Sequence, residues 1–107
     1  MKKPPKKTDK ELLGLIVNSV QKGTYIFLKH AKHRQEERRI LDIEILDVLE
    51  GKAGRKRKRN KSKDKYEMGR SDWNYCIEGI SLDGNRIRII ISFDSGLMPI
   101  ITVIRLG

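Results

Sequence analysis

Three period-two runs fill the last third of the chain, and they constrain its fold more than any other feature. From Trp73, the residues Trp73, Tyr75, Ile77 and Gly79 alternate with Asn74, Cys76, Glu78 and Ile80, as in a strand with two unlike faces. Asp83-Gly84 supplies a tight hairpin turn. The run RIRIIISF then sets Ile87, Ile89, Ile91 and Phe93 on one face and Arg86, Arg88, Ile90 and Ser92 on the other. After Asp94-Ser-Gly96, IITVIRL (Ile100 to Leu106) is apolar on both faces, as a central or helix-covered strand is, and Pro99 is tolerated at its start. These runs predict a three-stranded antiparallel meander.

The first half reads as helices. Thr8-Asp-Lys-Glu11 has the S/T-x-x-E form of a capping box, so a helix begins near Asp9, and Leu12, Leu13, Leu15, Ile16 and Val20 fall near one stripe. Gly23 stands where a left-handed cap ends it near Lys22. TYIFL (Thr24 to Leu28) is β-branched and aromatic and predicts a brief strand. HAKHRQEERR reads as a second helix. Ile40, Ile43, Leu46 and Leu49, spaced by three, with Asp42 early and Gly51 as a stop, predict a third helix packed on the sheet. The expected class is therefore α+β, in the order α-β-α-α-β-β-β, with helices on one face of a small antiparallel sheet.

Charge is concentrated. The chain of 107 residues carries 24 Lys and Arg against 14 Asp and Glu, a formal +10. KKPPKK near the start brings four cations and Lys52 to Lys65 brings nine cations and one anion, so the remainder sums to −2. The expectation is a basic flexible tail over residues 1–8 and a single domain over 9–107, with an exposed basic loop at about 52–70. A near-neutral body with two cationic appendages points to a polyanion partner, nucleic acid first. The single cysteine, Cys76, allows no intramolecular disulfide, and no apolar run approaches the roughly 18 residues of a membrane span, so a cytoplasmic protein without a membrane partner is expected.

On the second helix His30, Arg34, Glu37 and Arg38 fall at i, i+4, i+7 and i+8, along one stripe. One reading is an ion-pair network in which Glu37 pairs with Arg34. The other is a phosphate site, in which His30 carries a proton near neutral pH, Arg34 and Arg38 offer forked donors, and Glu37 orients an arginine. His30, His33 and Glu36 or Glu37 match no zinc spacing, so neither metal nor cofactor is expected.

The series HA-x-x-R-x-x-ER-x-I (His30 to Ile40), a short helix ending VLEG, DWNYCIEG, a DG hairpin and IITVIRL resembles a group of small prokaryotic domains of unassigned function. The likeness covers about residues 24 to 106. The chain departs from it at Arg39, where those domains usually carry glycine. They look like distant relatives of the RelE and MqsR toxins, metal-independent ribonucleases of toxin-antitoxin pairs built from helices on a small antiparallel sheet. The resemblance implies RNA as substrate and an antitoxin protein as partner.

In the corresponding mechanism His30 takes the proton of a ribose 2′-OH, which attacks the adjacent phosphate, while Arg34 and Arg38 stabilise the transition state. Trp73 or Tyr75 would stack on a base, and Arg86 and Arg88 would extend a phosphate track. Arg55, Lys56, Arg57, Lys58, Arg59 and Lys61 of the basic run would add salt-dependent attraction. The alternative is a non-catalytic nucleic-acid-binding or protein-interaction module using the same cations.

Overall fold

The computed structural model describes residues 3–51 and 57–107. The chain is α+β, with three helices, α1 (Asp9–Lys22), α2 (Lys29–Arg38) and α3 (Asp42–Glu50). They accompany five strands, β1 (Tyr25–Phe27), β2 (Arg57–Arg59), β3 (Tyr75–Ile80), β4 (Arg86–Ile91) and β5 (Met98–Arg105). The strand order is β1-β5-β4-β3-β2.

The meander β3-β4-β5 is antiparallel, as the alternation predicts, and its hairpin closes on Ser81 and Asn85 with Gly84 at φ 80°. The sheet as a whole is mixed. β1 lies parallel to β5, in register from Tyr25 opposite Met98 to Phe27 opposite Ile100, which corrects the expectation of a wholly antiparallel sheet. A three-residue strand carries no signal for a partner some seventy positions away, nor for its direction. β2 is a second departure, since it forms inside the basic run expected as a loop and pairs antiparallel with β3.

Helix α1 forms as the capping pattern predicts. Thr8 accepts from the Glu11 amide, Glu11 accepts from the Thr8 amide, and Gly23 closes the helix at φ 71°. Helix α2 ends on Arg39, held at φ 54° and ψ 47°, the left-handed region where a glycine carries no Cβ penalty. In α3 the buried stripe runs through Ile45, Val48 and Leu49, while Ile43 is 62% exposed and Leu46 half-buried. A spacing of three drifts around a helix of 3.6 residues per turn, so the regular Ile40-Ile43-Leu46-Leu49 series does not mark one buried face. Glu44 is also buried, accepting from the Leu41 amide, Ser81 Oγ and Asn85 Nδ2, and so ties α3 to the β3-β4 hairpin.

One apolar core joins Leu12 and Ile16 of α1, Ala31 of α2 and Ile45 and Leu49 of α3 to the inner sheet face of Ile77, Ile87, Ile89, Ile91 and Val103. All three helices therefore lie on one side, and among the described residues no α-helix covers the opposite side of β2, β3, β4 and β5.

Candidate nucleic-acid interface

Strand register decides which cations reach solvent. Lys58, Glu78 and Arg88 are cross-strand neighbours, with Ile104 next in the row, and all four belong to the open face. The next row toward the hairpin pairs Ile80 with Arg86, and the row on the other side sets Cys76 beside Ile90 and Thr102. Lys58, Lys61, Lys63, Lys65 and Arg86 are exposed, and Arg88 is partly so. Glu78 is the one carboxylate in these rows, and it is spoken for, accepting from Arg88 Nε at 2.8 Å and Asn60 Nδ2 at 3.0 Å. The Asn60 bond, set against the cost of burial, and the neighbouring cations Arg88 and Lys58 hold its carboxyl below the usual range.

The two other arginines of β2 point inward, as their pairing with Gly79 and Ile77 requires. Arg57 donates from Nε to the Leu49 carbonyl at 2.8 Å, at the C-terminal end of α3. Arg59 has a side chain 1% exposed and donates to Asp64 from Nε and Nη2, and to the Lys7 carbonyl and Asp9 from Nη1. It also lies over the Tyr75 ring, 5.2 Å from the centroid. Both guanidinium groups thus serve the fold. Arg55 and Lys56 lie outside the described residues.

The aromatic residues expected to stack on bases are engaged elsewhere. Tyr75 is fully buried, donating its hydroxyl to Asp72 and accepting from the Lys7 amide; burial and the Asp72 bond push that hydroxyl upward from its ordinary pKa. Trp73 is half-buried against Tyr66, donates Nε1 to the Pro4 carbonyl at 2.6 Å, and lies under Lys6 at 4.5 Å. Lys7 adds an ion pair to Asp72 at 2.6 Å. Residues 3–8, which the sequence presents as a tail, are fastened along this end of the sheet by these bonds. None of the six aromatic rings stands in the open-face rows.

Helix α2 lies across β5 on the covered side. Its His30, Arg34, Glu37 and Arg38 fall near one stripe, and the expected Glu37–Arg34 pair forms, with His33 as a second and closer partner of Glu37. His30 is exposed, and its side chain makes no hydrogen bond or ion pair to the described residues. Glu37 binds His33 Nε2 at 2.9 Å and Arg34 Nη1 at 3.7 Å. The Arg38 carbonyl accepts from Arg105 Nη2 at 2.7 Å, while Arg38 Nε is buried and meets no acceptor among the described residues. His33 was therefore missed as the carboxylate's partner, although its i, i+4 spacing to Glu37 is visible in the sequence.

Cys76 is buried, and its thiol is pushed up to about 11 by burial and by Glu78, so it stays protonated near neutrality. Among the described residues no group of His, Cys, Asp and Glu is gathered to hold a metal ion, and no helix is long and apolar enough to cross a membrane. No protein-family model, curated protein or solved structure gives a significant match to this chain.

Proposed function

We propose that this chain is an RNA-binding domain whose open sheet face receives a single strand. The observation that carries the reading is the open face itself. Lys58, Arg86 and Arg88 stand among Ile80, Ile90 and Ile104, with Lys63 and Lys65 at one margin and a single, already paired carboxylate. Aliphatic side chains suit ribose and base faces, and the cations suit phosphates. Without an aromatic platform on this face, charge supplies most of the affinity, which makes binding steep in salt. Titration of a fluorescent single-stranded RNA by anisotropy over a range of salt concentrations tests this. Each phosphate contact removed, as in Lys63→Ala or Arg86→Ala, lowers the slope of log affinity against log salt by about 0.7. Unchanged affinity and slope in the doubly substituted, folded protein would refute the reading.

A second reading is supported by the exposed His33-Glu37 pair on α2, with Arg34 and the unengaged His30 beside it. A carboxylate that fixes an imidazole ring prepares it to take a proton from a ribose 2′-OH, and Arg34 is placed to meet the resulting charge. On this reading the chain is a metal-independent endoribonuclease of the RelE and MqsR kind, held in check by an antitoxin protein. Incubation with mixed-sequence RNA in EDTA, comparing wild type with His30→Ala and His33→Ala, separates the two. Cleavage lost in either variant with folding intact supports the enzyme, and retained binding without cleavage leaves the binding domain.

A further inference from the structure

The open face contains one side chain whose bonding is incomplete. Asn74 is 8% exposed and joins Lys65 by two backbone bonds, Asn74 N–H to the Lys65 carbonyl at 2.7 Å and Lys65 N–H to the Asn74 carbonyl at 3.0 Å. Its Nδ2 donates to Glu67 at 2.7 Å. A carboxylate only accepts, so this bond fixes the orientation of the amide and turns Oδ1 away from Glu67. Oδ1 is buried and meets no donor among the described residues. An orphaned buried acceptor costs about 1–3 kcal/mol, and such a cost in a native fold calls for an explanation.

Asn74 lines a groove of about 270 Å³ with Lys63, Lys65, Arg88, Ile90 and Ile104. The groove has aliphatic walls from two neighbouring strands and three cationic side chains, of which Arg88 keeps its Nε on Glu78, and in its lining Asn74 holds a buried, unfilled amide oxygen. We propose that it is a base-reading subsite for a nucleotide of the bound RNA strand, selecting bases that present an imino N–H beside a carbonyl, uracil and guanine. The N–H donates to Asn74 Oδ1, and the flanking carbonyl oxygens and the phosphate accept from Lys63, Lys65 and Arg88. Ile90 and Ile104 contact the faces of the base. Adenine and cytosine present a ring nitrogen acceptor at the corresponding position, so that donating to Oδ1 from the neighbouring exocyclic amino group requires a shift of the base in the groove. Oδ1 is buried, so on this proposal the exposed Lys63 and Lys65 side chains move aside as the base edge enters.

This inference rests on the reading of the open face as an RNA site, and the experiment keeps the two apart. The intact protein is titrated with a short oligouridine and with the same oligomer built from N3-methyluridine, which lacks the imino proton, in parallel with Asn74→Ala. The expected result is a roughly two- to tenfold loss of wild-type affinity on methylation, the span of one net hydrogen bond, and no loss on methylation in Asn74→Ala. Equal affinities of the wild type for the two oligomers would overturn the base-reading subsite while leaving the RNA site standing. Absence of binding to either oligomer at low salt would overturn both. Should Asn74→Ala fold poorly, the wild-type pair alone decides, with the Asn74 side-chain amide resonances as a second readout: they shift with oligouridine and stay in place with its methylated form.

Discussion

Replacing Arg59 by alanine is the sharpest test of how the basic run is divided. The side chain is 1% exposed, and Asp64, its partner, is 0% exposed at the side chain. Arg59 donates twice to Asp64 Oδ2, at 3.0 and 2.8 Å, and reaches the Lys7 carbonyl at 2.6 Å and Asp9 at 3.0 Å. Its bonds to Asp64 and Asp9 outweigh the burial that opposes its charge and raise its pKa. Truncation leaves the Asp64 carboxylate buried with, among the described residues, only the Cys76 amide bonded to it. Losing one partner of a buried ion pair costs about 3–5 kcal/mol. A chain of this length has a stability of roughly 5–15 kcal/mol, so at least about a fifth of it is lost and the melting temperature falls by roughly 12 °C or more. Urea unfolding followed by circular dichroism measures it, with the exposed neighbour Lys58→Ala as control, expected within about 0.5 kcal/mol of wild type. A loss below about 1 kcal/mol for Arg59→Ala would mean that water replaces the guanidinium at Asp64, and the structural assignment of this arginine would fail.

Three further outcomes are expected. Arg39→Gly relieves a left-handed non-glycine residue and stabilises the fold by about 0.5–1 kcal/mol, read as a raised melting temperature; a decrease would mean that the Arg39 side chain makes a compensating contact. Burial pushes the Glu44 carboxyl up, but bonds from Leu41, Ser81 and Asn85 and the charge of Arg105 leave it below its ordinary value. Its contribution to stability is therefore complete above the unfolded carboxylate pKa and is lost as pH falls through the lower folded one, so urea midpoints compared at pH 7 and pH 3 should fall less in Glu44→Gln than in wild type. Removal of residues 1–6 takes away the Pro4 carbonyl and Lys6 from Trp73, the single tryptophan, so its emission should shift to the red; an unchanged spectrum would place that segment away from the ring.

The parts of the fold that were legible in the sequence are those with a local chemical cause. The Thr8-Glu11 box, Gly23 and Gly51 as left-handed caps, and the alternation through Ile87, Ile89 and Ile91 each specify their own conformation. The parts that were not legible depend on partners distant in sequence. β1 takes its direction from β5, and β2 has no apolar residue and is held by Arg57 on Leu49 and Arg59 on Asp64, Asp9 and Lys7. The site divides in the same way. The outward face of Arg86 and Arg88 in β4 follows from alternation, whereas the burial of Tyr75 and the cover over Trp73 depend on Asp72, Pro4 and Lys7, none of which signals that role in sequence. Asn74 is ordinary in composition and becomes notable only when its Nδ2 is found on Glu67 and its Oδ1 on nothing.

The basic run read as one undifferentiated cationic segment resolves, where it is described, by strand parity and by residue type together. In Arg57-Lys58-Arg59 the two arginines fall on the inner face and the lysine on the outer. A planar, always charged fork with several fixed donors can satisfy a helix-end carbonyl or bridge Asp64, Asp9 and a backbone oxygen at once, which a compact ammonium cannot. Lysine, flexible and strongly hydrated, suits the exposed side, where its ammonium stays in water. The exposed cations after β2, Lys61, Lys63 and Lys65, are also lysines. Hence the formal charge of the run overstates its attraction for a polyanion, because part of it is consumed inside the fold. Of the described part that remains, Lys58 stands on the sheet face away from the helices, and Lys63 and Lys65 line the groove that holds Asn74.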